Sequence, residues 1–194
     1  VAKGKRTVPQ RIKNKKGKWV TVNRTEQYDL PAVTKVYTVG RYDIPMHNYC
    51  AFSIELPDSL QDTQQLYVSN LDGKGICAGS VYKPSQEGRP ATMVARTREA
   101  GSFVVLRDSV PPKVSIVKAA LNSIQLSISD AESGVKQFKV LIDGKFVPFN
   151  MDNRVRYFGE PSLYGVKSGK THQIEISVVD YCGNETILKE SQIL

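Results

Sequence analysis

Asp130-Ala131-Glu132-Ser133-Gly134-Val135 and Asp180-Tyr181-Cys182-Gly183-Asn184-Glu185 are polar loops that interrupt alternating apolar runs. Ile124, Leu126 and Ile128 precede the first, and Ile174, Ile176 and Val178 precede the second. A further run follows each loop. Apolar residues at every second position mark half-buried strands, and Asp with Gly in the interruptions marks turns. Strand, polar turn, strand, twice over, predicts a β-sandwich. Its loops are expected to hold backbone in turns rather than to assemble a chemical centre.

Working outward, seven strands are expected after residue 112: 113–118, 123–129, 135–142, 145–149, 154–158, 172–180 and 185–190. Asp143-Gly144-Lys145 is the tightest turn among them. Short strands at this spacing form the immunoglobulin-like pattern. There the second-to-third and sixth-to-seventh loops share the pole at which the chain enters. Both Asp-Gly loops are thus expected beside Pro111-Pro112, facing the preceding domain. Asp108-Ser109-Val110-Pro111-Pro112 reads as a stiff linker, because two prolines fix φ and remove two amide donors. The domain boundaries read 1–107, a 108–112 linker and 113–194.

The first domain carries turn signals every 8 to 15 residues. Residues 9–22 read as a hairpin with Asn14-Lys15-Lys16-Gly17 at the turn, where Gly supplies a positive φ. Runs at 32–39, 49–56, 65–69, 75–82, 92–96 and 102–106 follow, with Asn70-Leu71-Asp72-Gly73-Lys74 and Glu99-Ala100-Gly101 between pairs of them. No helical period of comparable length competes. The fold class is all-β, with two β-sandwich domains, the second immunoglobulin-like.

The net charge of +8 is concentrated in one segment. Residues 1–24 hold Lys3, Lys5, Arg6, Arg11, Lys13, Lys15, Lys16, Lys18 and Arg24, nine cations with no acid. The remaining 18 basic and 19 acidic residues nearly cancel. Such a segment either holds an anionic polymer or lipid headgroup, or is a solvated edge whose lysines discourage aggregation. Nucleic acid is not indicated, because the cations are not interleaved with stacking aromatics and Trp19 stands alone. No apolar run approaches the roughly 20 residues that cross a bilayer, so no transmembrane segment is expected. Val1 opens a basic stretch without an apolar signal core, and a processed or partial product with further domains upstream is expected.

The search for chemistry finds little. His47 and His172 are the only histidines, and neither lies near a Gly-x-Ser-x-Gly elbow or an H-E-x-x-H motif. Both read as structural or exposed, and His172 begins a strand at a position that in related sandwiches often carries an aromatic residue pinning the preceding loop. Gly73-Lys74-Gly75 lies in a hairpin turn rather than ahead of a helix, so it is no phosphate loop. The 19 acids single out no catalytic pair. Cys50, Cys77 and Cys182 form no C-x-x-C; Cys50 and Cys77 either pair or stay free thiols. The expectation is no enzyme, no catalytic residue and no cofactor. One metal reading stands beside this, with Asp130, Glu132 and Asp180 converging on calcium and Asn184 or a loop carbonyl completing the cage. The alternative is that Asp130 and Asp180 accept bonds from backbone amides two or three residues on.

Four motifs carry a resemblance: Asp108-x-x-Pro111-Pro112, Asp130-x-x-Ser133-Gly134, Ile142-Asp143-Gly144-Lys145 and Asp180-x-x-Gly183-Asn184. Their order over residues 108–190 resembles the immunoglobulin-like modules of exported bacterial proteins. With the β-rich run that ends at Asp108, residues 30–190 are similar to C-terminal regions that follow lysostaphin-type zinc endopeptidase domains in Gram-negative bacteria. Those peptidases bind zinc through His-x-x-x-Asp and His-x-His. Here Ala51 stands four residues after His47 and Ile174 two after His172, so no zinc ligand carries over. The resemblance implies a non-catalytic accessory region of a periplasmic or cell-surface protein, beside a cell-wall peptidase. The expected partner is a neighbouring domain or cell-wall glycan, contacted through Lys13, Lys15, Lys16, Lys18 and Trp19. The alternative is a carbohydrate-binding or adhesive module using Tyr157, Phe158 and Tyr164.

Overall fold

A computed structural model describes residues 3–13, 15–16, 18–41, 45–72, 75–77, 80–153 and 155–194. The chain is built almost wholly of antiparallel strands and divides into two compact units, Val1–Arg107 and Asp108–Leu194. No helix among the described residues is long and apolar enough to cross a membrane.

In the first unit, β1 (Lys3–Lys13) and β2 (Trp19–Asp29) form a two-stranded ribbon. Its pairing runs unbroken from Lys3↔Asp29 to Lys13↔Trp19. The ribbon is longer than the 9–22 hairpin expected. Of the expected turn, Asn14 and Gly17 lie outside the described residues. The remaining strands are β3 (Tyr37–Val39), β4 (Pro45–Glu55), β5 (Leu66–Asn70), β6 (Gly75–Ile76), β7 (Val81–Lys83), β8 (Thr92–Glu99) and β9 (Gly101–Arg107). They make two sheets, β3-β9-β5-β6 and β4-β8-β7. The run 75–82 is therefore two short strands in different sheets, not one. Gly73 and Lys74, of the turn before it, lie outside the described residues.

Ile54 of β4, Val68 of β5, Met93 and Ala95 of β8, and Phe103 and Val105 of β9 share one core, so the two sheets pack face to face. Phe52 and Phe103 meet across it with ring centroids 4.6 Å apart. β8 and β9 are consecutive yet belong to opposite sheets, and the chain turns the corner at Gly101. Gly101 has φ +147°, and a Cβ there would lie 2.6 Å from Asn70 Oδ1. Only glycine combines that backbone with that approach. Asn70 in turn donates to the Ala100 carbonyl and accepts from the Asp72 amide.

The second unit contains β10 (Lys113–Lys118), β11 (Ile124–Ser129), β12 (Val135–Ile142), β13 (Lys145–Phe146), β14 (Asn150–Asn153), β15 (Arg156–Gly159), β16 (Thr171–Asp180) and β17 (Glu185–Ile193). A 3-10 turn spans Pro161–Tyr164. The sheets are β10-β11-β15-β14 and β13-β12-β16-β17, the strand order of an immunoglobulin-like sandwich. Eight strands are present where about seven were expected. The strand expected over 145–149 stops at Phe146, and Pro148 lies just beyond, where it has no amide to donate. The extra strand is β14, whose four side chains are all exposed, so no apolar alternation announces it.

Ile124, Leu126 and Ile128 of β11 face Ile174, Ile176 and Val178 of β16 in one core, each at most 1% exposed. Each such side chain contributes about 1.5–3 kcal/mol relative to exposure. The buried row of β16 starts earlier and ends later than these aliphatics. It reads His172, Ile174, Ile176, Val178, Asp180, so a polar group stands at each end of one hydrophobic row.

Candidate functional site

The alternation that buries Ile174 and Val178 also fixes His172 and Asp180, because successive inward side chains lie two residues apart. At the Asp180 end, carboxylate oxygens of Asp108, Asp130 and Asp180 lie within 4.8 Å of one another. Seven donors address them. Asp108 accepts from the amides of Val110 and Ser133. Asp130 Oδ1 accepts from Glu132 at 3.0 Å and Gly134 at 2.6 Å. Asp180 Oδ1 accepts from Cys182 and Asn184, and Asp180 Oδ2 accepts from Asn184 Nδ2 at 2.7 Å. Asn184 Nδ2 also donates to the Asp108 carbonyl, and Thr186 to that of Pro112. Residues 108–112 are thus tied to the two Asp-Gly loops.

The expected calcium set of Asp130, Glu132 and Asp180 does not assemble as such. The expected Glu132 is not in the cluster; it contributes its backbone amide to Asp130. Asp108 takes its place. Oδ1 of Asp130 and of Asp180 each accept two amide hydrogens, so these two oxygens are taken up by the loops' own backbone. The carboxylates brace loops. Burial, with the neighbouring charges of Asp108 and Asp180 adding to it, holds the Asp130 carboxyl above its ordinary value despite its two amide bonds. Burial likewise pushes the Cys182 thiol up to about 11, so it is a protonated thiol rather than a nucleophile.

At the other end, His172 Nδ1 lies 2.6 Å from Asp143 Oδ2 and Nε2 lies 2.8 Å from the Lys167 carbonyl. Both partners are acceptors, and only imidazolium donates from both nitrogens. The Asp143 bond, then the Lys167 carbonyl, raises the His172 pKa above its ordinary value. The same bond lowers that of Asp143. His172 therefore pins the 161–170 connection onto the β12–β13 turn. His47 is exposed on β4.

Cys50 and Cys77 are free. Cys50 is exposed on β4, whereas Cys77 is buried where its amide bonds to the Val68 carbonyl of the opposite sheet. Burial pushes the Cys77 thiol up to about 11. Of the three candidate sugar-stacking aromatics, Tyr157 is buried and meets Phe138 edge-on at 4.7 Å, so it belongs to the core. Phe158 is half-buried, and Tyr164 is exposed at the end of the 3-10 turn.

The candidate binding surface is the β1–β2 ribbon. Lys13, Lys15, Lys16, Lys18 and Trp19 are all exposed, and Trp19 retains 58% of its surface. Lys13 and Arg11 lie two apart on β1 and so share a face; Trp19 stands opposite Lys13 on β2. Lys13 Nζ sits 5.3 Å and the Arg11 guanidinium 5.9 Å from the indole centroid. Each contact contributes about 0.5–1 kcal/mol at an exposed site. The arrangement presents one flat aromatic face flanked by cations, followed by the lysines of the turn.

Residues 19–108 match the family profile of the Zu5-like domain. The matched stretch begins at Trp19, so it takes in β2 and the strands of the first unit that follow it, and leaves β1 outside. Comparison with curated proteins and with solved structures gave no match.

Proposed function

We propose that this chain is a non-catalytic accessory region of an exported bacterial envelope protein, positioned at the periplasmic or outer cell surface. It supports a neighbouring cell-wall endopeptidase by holding anionic wall polymer against the β1–β2 ribbon. The observation that supports the reading is the ribbon itself. It carries nine of the chain's 27 cations within its first 24 residues, and Arg11 and Lys13 flank an exposed Trp19. Cations on a stiff two-stranded support attract a polyanion with little ordering cost, and salt screens that attraction. The test is cosedimentation of the protein with purified cell wall across a salt series. Binding is expected to fall steeply as salt rises, and to fall again in a Lys13→Gln, Lys15→Gln, Lys16→Gln, Lys18→Gln variant. Salt-independent binding, or none, would reject the proposal.

A further inference from the structure

The second unit has a cleft of about 320 Å³ lined by Lys145, Lys167, Lys170, Tyr164 and the His172–Asp143 pair. Three features separate it from an ordinary surface depression. The first is charge. Lys145, Lys167 and Lys170 are exposed and, among the described residues, none makes an ion pair with a carboxylate. Asp143 is the acid in the lining, and both its oxygens are engaged, Oδ2 by His172 and Oδ1 by the Gln173 amide. The cleft therefore carries an excess of positive charge, with three ammonium groups and His172 against the one Asp143 carboxylate.

The second feature is a fixed wall. His172 holds the Lys167 carbonyl; Gly169 donates to the Leu194 carbonyl, and the Leu194 amide donates to that of Lys170. Gly165 closes the 3-10 turn at φ +81°, and its amide bonds to Ser162, which sets the stem of Tyr164. The lysine backbones are thus pinned, and only their side chains need to order around a ligand. The third feature is the half-exposed ring of Tyr164, an apolar face with a polar tip beside the cations.

We propose that this cleft binds an anionic monosaccharide unit. The lysine ammonium groups take its carboxylate or phosphate, and the Tyr164 ring takes a face of the sugar. Ammonium–oxyanion bonds are the strong polar contacts open to such a set, and an aromatic face favours a pyranose over a small inorganic anion. The site is distinct from the β1–β2 ribbon, and it does not depend on the ribbon's proposed role.

The test is an amide-resolved NMR titration of the whole chain at low salt with glucuronate, glucose 6-phosphate, inorganic phosphate and glucose. Saturable shifts confined to residues 143–145 and 164–172 are expected with at least one of the two charged sugars, and none with glucose. Whichever charged sugar binds identifies the oxyanion. A Lys167→Gln, Lys170→Gln variant is expected to weaken binding at least tenfold. Tyr164→Ala is expected to weaken the sugars but not inorganic phosphate. All three positions are exposed, and an unchanged spectrum elsewhere verifies folding. Equal shifts with glucose, no saturable shifts with either charged sugar, or full binding by the double lysine variant would overturn the proposal.

Discussion

Asn184 Nδ2 donates at 2.9 Å to the carbonyl of Asp108, 76 residues earlier in the chain, and at 2.7 Å to Asp180 Oδ2. One amide group thereby joins the entry of the second unit to its β16–β17 loop. Asp180→Asn would set two NH2 groups against each other at this point. Turning Asn184 over does not help, because its oxygen would then face the Asp108 carbonyl. Loss of this charge-assisted bond in a buried setting costs about 1.5–3 kcal/mol. Urea denaturation followed by a probe of the second unit should show that loss for Asp180→Asn. A variant as stable as the parent would remove the bracing role.

Asp130 should behave in the opposite way. Its Oδ1 takes both amide bonds, and an asparagine oxygen can still accept both. Asp130→Asn removes one of three crowded charges and is expected to leave the melting temperature at pH 7 unchanged or higher. A chelator should leave the parent's midpoint where it was. A drop of several degrees in either experiment would restore a cation to the cluster.

The His172–Asp143 pair gives a pH window. His172 is raised above its ordinary 6.5, so its contribution is complete below that value and is lost as pH rises through the folded pKa. Asp143 is lowered from 3.8, so its contribution is complete above that value and is lost as pH falls through its folded pKa. The second unit should be most stable between about pH 4 and 6.5 as far as this pair is concerned, and should weaken as pH rises through the folded pKa of His172. His172→Gln should flatten the alkaline side of the profile. Parallel profiles for parent and variant would count against a doubly donating imidazolium.

Gly101→Ala should destabilise the first unit. The added methyl meets Asn70 Oδ1 at 2.6 Å and must adopt φ +147°. Backbone strain of this kind costs about 1–3 kcal/mol. The expected result is a lower melting temperature for the first unit with that of the second unchanged. Alanine at exposed Gly88, at φ +73° with open space around it, gives for comparison the cost of a left-handed φ without a clash.

Much of the second unit was legible because its core strands alternate cleanly and its turns use Asp and Gly. The brackets of Asp130 and Asp180 follow from the same local chemistry, with acceptor and amide two and four residues apart. Asp108 was read only as part of a connector, since its partner Ser133 is 25 residues away and only the folded sandwich brings them together. The His172–Asp143 pair was hidden for the same reason. It depends on the register Ile142↔Ile174, which places the Asp143 turn beside the start of β16. In the first unit, the run 75–82 carries no mark of the change of sheet between β6 and β7. The exposed cations at 13–18 and Trp19 were legible directly, but the stacking of Arg11 and Lys13 on the indole required the β1–β2 register.

The corner at Gly101 gives the two layers of the first unit a shared fate. β8 runs through the middle of one sheet and β9 lies inside the other, yet they are one ribbon folded at a single residue. Peeling either sheet away drags the spine of its neighbour with it. Fraying from an edge can proceed only as far as that spine, and beyond it the whole unit comes apart at once.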